Sequence, residues 1–263
     1  AAPPPAIQPP GAASSPPPPV ATVGLARVLE LLRQRTGHDL SLYKPSAIER
    51  RLERRLQVHH LPDFAAYAAY LEANPEEGEL LLRELLIGVT HFFRDEEAFA
   101  VLDERVLPAL LAGRPRPTTL RAWVAGCSSG EEAYSLAIVI HEVLARTRAT
   151  DVEVLIYATD LDADAVAAAR AGSYPADIED RVSPARLARY FVRDDHGYRI
   201  GAEIRSTVVF AQHDLIADPP FTRLDILCCR NVLIYLQPVL QQRLLPRFHH
   251  ALAPGGVLVL GAS

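Results

Sequence analysis

Methionine is absent from all 263 residues, and tryptophan occurs once. A chain that starts at Ala1 and carries no Met reads as a piece of something longer. Cysteine is scarce. There are three, two of them adjacent (Cys228 and Cys229), a spacing that fits neither a disulfide framework nor a zinc site. This usage points to a reducing, cytoplasmic compartment. No apolar run approaches the roughly 18 residues of a membrane span, and no signal peptide opens the chain, so no membrane insertion is expected. Positive charge is not in excess: 27 Lys and Arg against 32 Asp and Glu leave a net charge of −5, which gives nucleic acid no electrostatic footprint.

What is present divides into three stretches. Residues 1–21 hold nine of the 22 prolines within "AAPPPAIQPPGAASSPPPPV" and read as a solvated linker that cannot assemble a core. From 22 to about 112 the period is helical, with Leu25, Val28, Leu29 and Leu32 forming an apolar stripe. Gly37 is placed to end that helix, Pro45 to open the next, and Asn74-Pro75 to break two more apart. From 113 to 263 short apolar runs, "LRAWVAG", "VEVLIYATD", "TVVFAQHD", "LDILCCRN" and "GGVLVLG", alternate with helical candidates at 131–147, 162–171 and 237–252. That rhythm predicts an α/β domain with a doubly wound parallel sheet covered on both faces. Residues 173–207 break the alternation and read as a small antiparallel β-insert, with Ser183-Pro184 starting a helix and Gly197 in a turn.

An open α/β sheet binds ligands beyond the carboxyl ends of its strands. The polar residues there are the loop Gly126-Cys127-Ser128-Ser129-Gly130, then Asp160, Asp214-Leu215 and Arg230-Asn231. Asp160 lies where an acidic side chain accepts hydrogen bonds from ribose hydroxyls. The loop is neither G-x-G-x-x-G nor a P-loop, for it lacks lysine, and Glu131 and Glu132 would repel a pyrophosphate. Glu131 alone is accounted for as a first-turn acid favoured by the helix dipole. Together the two acids suit a nucleoside with a cationic tail, a description that S-adenosyl-L-methionine meets. "LIGVTHFFRDEEAF" is accounted for equally by a helix packing its Phe residues with Arg94 paired at the surface, and "FTRLDILCCRNVLIYL" by a core strand whose Asn231 caps a helix.

Five ordered motifs, "GVTHFFRD", "WVAGCSSGEEAYSLA", "ATDLDADAVAAARAGSYP", "CCRNVLIYL" and "LAPGGVLVLGAS", resemble those of the CheR family, the chemotaxis receptor glutamate methyltransferases. The resemblance covers residues 25–263, and "LSLYKPSAIERRLERRLQVH" and "DPPFTRLDILCCRNVLIYL" look most like the branch fused behind a CheB-type methylesterase. It implies a Rossmann-like class I methyltransferase sheet with an N-terminal all-helical domain and a small antiparallel β-subdomain. It implies transfer of methyl from S-adenosyl-L-methionine to receptor glutamates, leaving S-adenosyl-L-homocysteine. The family's cofactor contacts fall on Thr90, Arg94, Glu132, Asp160, Asp214, Leu215, Arg230 and Asn231, and its reaction-centre residues on Arg94 and Tyr235. Two positions depart: family members usually carry Asn at Gly88 and often Asn at Asp214.

The implied partner is the cytoplasmic helical domain of a chemoreceptor, whose acidic faces call for a basic docking surface. "KPSAIERRLERRLQ" carries a net +3, with Arg51, Arg54 and Arg55 on one helical side. A solvated helix with internal Glu–Arg pairs accounts for the same pattern. Upstream methylesterase and downstream sensor domains are the implied neighbours in the chain. The alternative in another class is a non-catalytic module sensing S-adenosylmethionine or S-adenosylhomocysteine. A small-molecule methyltransferase would leave the basic helix without purpose, and a dinucleotide oxidoreductase would need a glycine-rich pyrophosphate turn.

Overall fold

The computed structural model describes residues 20–86 and 88–261, with the side chains of 20–22 left aside. The expected proline-rich linker lies almost wholly outside the described residues. The chain separates into two compact units: residues up to Ser41 with Glu49–Leu82, and Leu42–Ile48 with Arg83–Ser263.

The first unit is helical: α1 (Val20–Thr36), most of α2 (Pro45–His59), α3 (Phe64–Ala73) and the start of α4 (Glu77–Leu85). Leu25, Val28, Leu31 and Leu32 turn inward on α1, Leu52 on α2, Tyr67 and Leu71 on α3. Gly37 follows the last helical residue with φ +79°, the left-handed conformation that ends helices without penalty. Asp63 caps α3, accepting from the Ala66 N–H at 2.8 Å.

In the second unit, α5 (Glu96–Val101) runs through a wide turn at Leu102–Val106 into α6 (Leu107–Leu111). Then follow β1 (Thr118–Ala125), α7 (Glu131–Thr147), β2 (Val152–Asp160), α8 (Ala163–Ala171), β3 (Ser173–Tyr174), α9 (Pro184–Tyr190), β4 (Phe191–Asp194) and β5 (Gly197–Ile200). The unit continues through α10 (Ala202–Arg205), β6 (Val208–Gln212), β7 (Leu224–Cys229), α11 (Pro238–Ala251) and β8 (Leu252–Leu260). Five parallel strands stand in the order β6-β2-β1-β7-β8. Strand β1 shows why both faces are covered. Leu120, Ala122 and Val124 enter one core with α7, while Trp123 and Ala125 enter the other with Leu240, Leu244 and Phe248 of α11. The side-chain period of two would expose one whole set if either layer were absent. The β3-β5-β4 sheet is antiparallel and gives Tyr174, Phe191, Tyr198 and Ile200 to the α7 core.

The helical rhythm of the sequence runs on to about residue 112, but the contacts divide the chain after Leu82. The reason is packing. Phe99, Leu102, Leu107 and Leu111 are buried in the same core as Leu120 and Ile138. Each Leu or Phe so buried stabilises that arrangement by about 2 kcal/mol. Residues 42–48 join this unit as well, through Tyr43, which bridges to Leu236.

Candidate active site

The strand order reverses between β1 and β7, so the crevice for a ligand opens beyond their carboxyl ends. The loop after β1 is shaped by glycine. Gly126 has φ +78° and Gly130 φ +95°, backbone that other residues adopt only at a cost. A Cβ on Gly126 would stand 2.3 Å from Val232 Cγ2. The N–H groups of Gly126 and Cys127 both donate to the Thr159 carbonyl, at 2.8 and 2.9 Å, which pins the loop to the end of β2.

Asp160 ends β2. Its Oδ2 accepts from the Ser128 N–H at 2.7 Å and its Oδ1 from the Asp162 N–H at 3.0 Å. Burial raises its carboxyl above the usual range despite those N–H groups. The two glutamates at the start of α7 part company. Glu131 takes the Ser129 hydroxyl at 2.8 and 3.0 Å and braces the loop, as a first-turn acid should. Glu132 is buried, with Oε2 3.4 Å from Arg230 Nη1 and Oε1 without a hydrogen-bond partner among the described residues. Burial pushes its carboxyl up to about 7, although Arg230 and Arg94 pull the other way.

Arg230, at the end of β7, has a side chain only 2% exposed. Its Nη2 donates to Asp95 Oδ2 at 2.8 Å and to the carbonyl of Arg94, and its guanidinium lies 5.3 Å from the centre of the Phe99 ring. Residues 88–95 are not the helix that one reading of their phenylalanines allows. Helix α5 starts only at Glu96, and Phe93 and Asp95 have positive φ. That irregular backbone holds Thr90 half-buried and lets Arg94 Nη1 donate to the Val89 carbonyl at 2.6 Å. Asn231 caps no helix. It has φ +56°, and its buried Oδ1 lacks a partner among the described residues.

Asp214 follows β6 and closes a turn, Oδ1 accepting from Ile216 at 2.8 Å and Ala217 at 3.1 Å. An acceptor is all this turn asks of residue 214, so Asp serves it as Asn would. Leu215 is half-buried, and its carbonyl accepts from Arg247 Nη1 at 3.2 Å. Tyr235, in a short 3₁₀ turn at Leu233–Tyr235, is 39% exposed. Its carbonyl accepts from the Lys44 N–H at 2.7 Å.

The structure thus connects Ser128 with Asp160, and Arg94 with Glu132 and Arg230. It also places one residue there that sequence reasoning passed over. The phenol of Tyr43 is pushed well above its ordinary range by burial, then by the charge of the Asp214 and Asp160 carboxylates. Asp95 and Phe99, which hold Arg230, were missed too. Nothing in a sequence marks a pair such as Asp95 and Arg230, which meet only through the fold.

Of the three expected docking cations, Arg55 is already engaged. In the helical unit its Nη2 lies 2.6 Å from Glu77 Oε2, a carboxylate whose side chain is 3% exposed, and Tyr67 donates to the same group. A guanidinium so engaged serves the core of its own unit. Arg54 is exposed and Arg51 half-buried.

Residues 88–263 match the CheR methyltransferase SAM binding domain, and residues 24–86 match the CheR methyltransferase all-alpha domain. The chain belongs to the CheR methyltransferase family. It is 34% identical over 248 residues to the chemotaxis protein methyltransferase of Klebsiella aerogenes, covering 90% of this chain and 81% of that protein. It is 33% identical over 248 residues to the chemotaxis protein methyltransferase of Escherichia coli, covering 90% and 82%. Identity reaches 41% over 239 residues with an uncharacterized 104.1 kDa protein of Rhodobacter capsulatus, over 91% of this chain but only 25% of that protein. The chain therefore spans about a quarter of the one relative and four fifths of the others.

The cofactor of this CheR domain is S-adenosyl-L-methionine. The residues present fit it: largely buried carboxylates at 132 and 160 suit its ammonium group and ribose hydroxyls, and Glu132 Oε1 and Asn231 Oδ1 are acceptors without donors among the described residues. A buried polar atom left unpaired costs about 1–3 kcal/mol, which a ligand's donors would recover. Among the described residues, no helix is long and apolar enough to cross a membrane.

Proposed function

We propose that this chain is a protein-glutamate O-methyltransferase of chemotaxis-type signalling, acting on the cytoplasmic helical domain of a chemoreceptor. The observation that carries this reading is the clustering of Glu132, Arg230 and Arg94 beyond β1 and β7, in a chain of the CheR family. When bound, the cofactor supplies an electrophilic methyl group on a sulfonium centre. Glu132 and Asp160 hold the amino end and the ribose, and Thr90, Asp214, Leu215 and Asn231 complete the contacts. Arg94 positions the acceptor carboxylate, and the half-exposed Tyr235 orients it.

A glutamate of pKa about 4.3 is already ionised at neutral pH, so its oxygen attacks without a general base. With the cofactor held by Glu132 and Asp160 and the acceptor by Arg94, the O–CH₃ bond would form as the S–CH₃ bond breaks, its electron pair going to sulfur. Rate enhancement then rests on alignment, for which oriented reactants gain on the order of 7 kcal/mol or more.

Docking falls to Arg51 and Arg54, which present positive charge toward an acidic coiled coil. The length of the Rhodobacter relative is consistent with a module of a larger protein, and the motif resemblance to the branch fused behind a CheB-type methylesterase is what supports a methylesterase upstream and a sensor domain downstream. The test is transfer of labelled methyl from S-adenosylmethionine to a chemoreceptor cytoplasmic fragment, read as base-labile methanol. Arg94→Ala should lower turnover about a hundredfold. Cofactor binding by the wild type with no transfer to any receptor fragment would replace this reading with that of a sensor module.

A further inference from the structure

The geometry points to Tyr43 as a further cofactor-binding residue, its ring walling the adenosyl end of the site between Asp160 and Asp214. The inference rests on the methyltransferase reading of the strand-tip residues.

Residues 42–44 are strapped to the segment after β7 by backbone alone. Tyr43 pairs with Leu236 in an antiparallel bridge, the Lys44 N–H donates to the Tyr235 carbonyl at 2.7 Å, and the Gln237 N–H donates to the Leu42 carbonyl at 2.9 Å. Gln237 adds its side-chain amide on the Tyr43 carbonyl at 3.0 Å. Three hydrogen bonds on three residues leave the backbone little freedom, so the side chain is aimed by the fold. Tyr43 packs against the Trp123 core, as Leu215, Ile216 and Val232 also do, and its strap lies just past the carboxyl end of β7. Leu215 and Asp214 are among the expected cofactor contacts, and Asp160 is the one expected at the ribose. A phenol near both carboxylates keeps its proton and serves as a donor, while its face offers a purine the apolar surface that stacking needs.

The position also explains why a short piece of the N-terminal sequence, Leu42–Ile48, belongs with the second unit. The same strap that aims Tyr43 fixes the carbonyl of Tyr235, so the adenosyl wall and the expected reaction-centre residue share one support.

Isothermal titration with two probes tests the inference. S-adenosylhomocysteine carries both the adenosyl group and the amino acid, whereas methylthioadenosine carries the adenosyl group alone. Tyr43→Ala should weaken both about tenfold, and Tyr43→Phe, which keeps the ring, about threefold, on the scale of one lost stack or hydrogen bond. Glu132→Gln should weaken S-adenosylhomocysteine only. Unchanged affinities in the Tyr43 variants, or a loss confined to S-adenosylhomocysteine, overturn the role of Tyr43 while Glu132→Gln still upholds the site. If Tyr43→Ala does not fold, Tyr43→Phe decides, and no loss there overturns the inference. A wild-type protein that binds neither probe overturns the site and the inference together.

Discussion

Glu132 ties cofactor affinity to pH in a way that can be worked out in advance. Its carboxyl is raised from 4.5 to about 7 by burial. In the empty site it is therefore neutral below pH 7 and ionised above. A ligand ammonium needs the ionised form, so apparent affinity scales with the ionised fraction. That fraction is about 0.1 at pH 6 and about 0.8 at pH 7.5, which makes S-adenosylhomocysteine bind about eightfold more weakly at the lower pH. Binding at pH 6 should release close to one proton, measurable by titration calorimetry in two buffers of different ionisation enthalpy. The stability of the empty protein moves in the opposite direction. The native state holds a proton that the unfolded chain has lost between pH 4.5 and 7, so stability falls as pH rises through that window, by about 3 kcal/mol in all. Burial raises Asp160 and Glu131 in the same sense, so the Glu132 share is read as the difference from Glu132→Gln. That variant should bind weakly at every pH, release no proton, and lose less stability between pH 5 and 8. A wild-type affinity that stays flat from pH 6 to 7.5 with no proton release would refute the assignment of Glu132 as the ammonium's partner.

Two further outcomes follow from named contacts. Arg55→Ala leaves the buried Glu77 carboxylate without its guanidinium and should cost about 3 kcal/mol in urea unfolding with receptor methylation by the folded protein kept, whereas the double reversal Arg51→Glu/Arg54→Glu should lower receptor methylation and leave S-adenosylhomocysteine affinity unchanged. The opposite pattern would return Arg55 to the docking surface. Gly130→Ala adds a Cβ 2.9 Å from that of Ala169 at φ +95° and should cost about 3 kcal/mol, while Gly113→Ala, at φ +71° with nothing within 4 Å, should cost about 1 kcal/mol. Equal costs by thermal unfolding would show that packing beneath the loop after β1 is not tight.

The parts of the fold that were legible in the sequence are those set by local chemistry. Helix α7 runs from Glu131 to Thr147 as its pattern requires, because a glycine in the left-handed region precedes it and its inward residues recur at helical spacing. Ser183 caps α9 through the Arg186 N–H, as Ser-Pro announces. Parallel strands must end at one edge, so a strand pattern also locates Asp160, Asp214 and Arg230 along that edge without any knowledge of side-chain contacts. What was illegible depends on pairs distant in sequence. Arg55 looks like a surface cation until Glu77, 22 residues away, takes it. The helices between 96 and 111 carry the same apolar stripe whichever core receives them. Tyr43 has no local mark, since its partner Leu236 lies nearly the whole chain away.

The departure at Gly88 is best understood together with Ser128. A Cβ at position 88 would stand 2.6 Å from Ser128 Oγ and 3.0 Å from its Cβ, closer than side chains tolerate. An asparagine there and the present orientation of Ser128 exclude one another. The loop after β1 therefore keeps a polar oxygen beside residue 88 even though that residue has no side chain, and the oxygen comes from the element that also donates its N–H to Asp160. The hydroxyl belongs to the residue after Gly126 and Cys127, whose N–H groups bind the Thr159 carbonyl. What the pocket forfeits is an N–H₂ donor, not an acceptor. Since the ligand's ammonium and ribose hydroxyls are themselves donors, the forfeited group is the one least needed where Glu132 and Asp160 already set the charge.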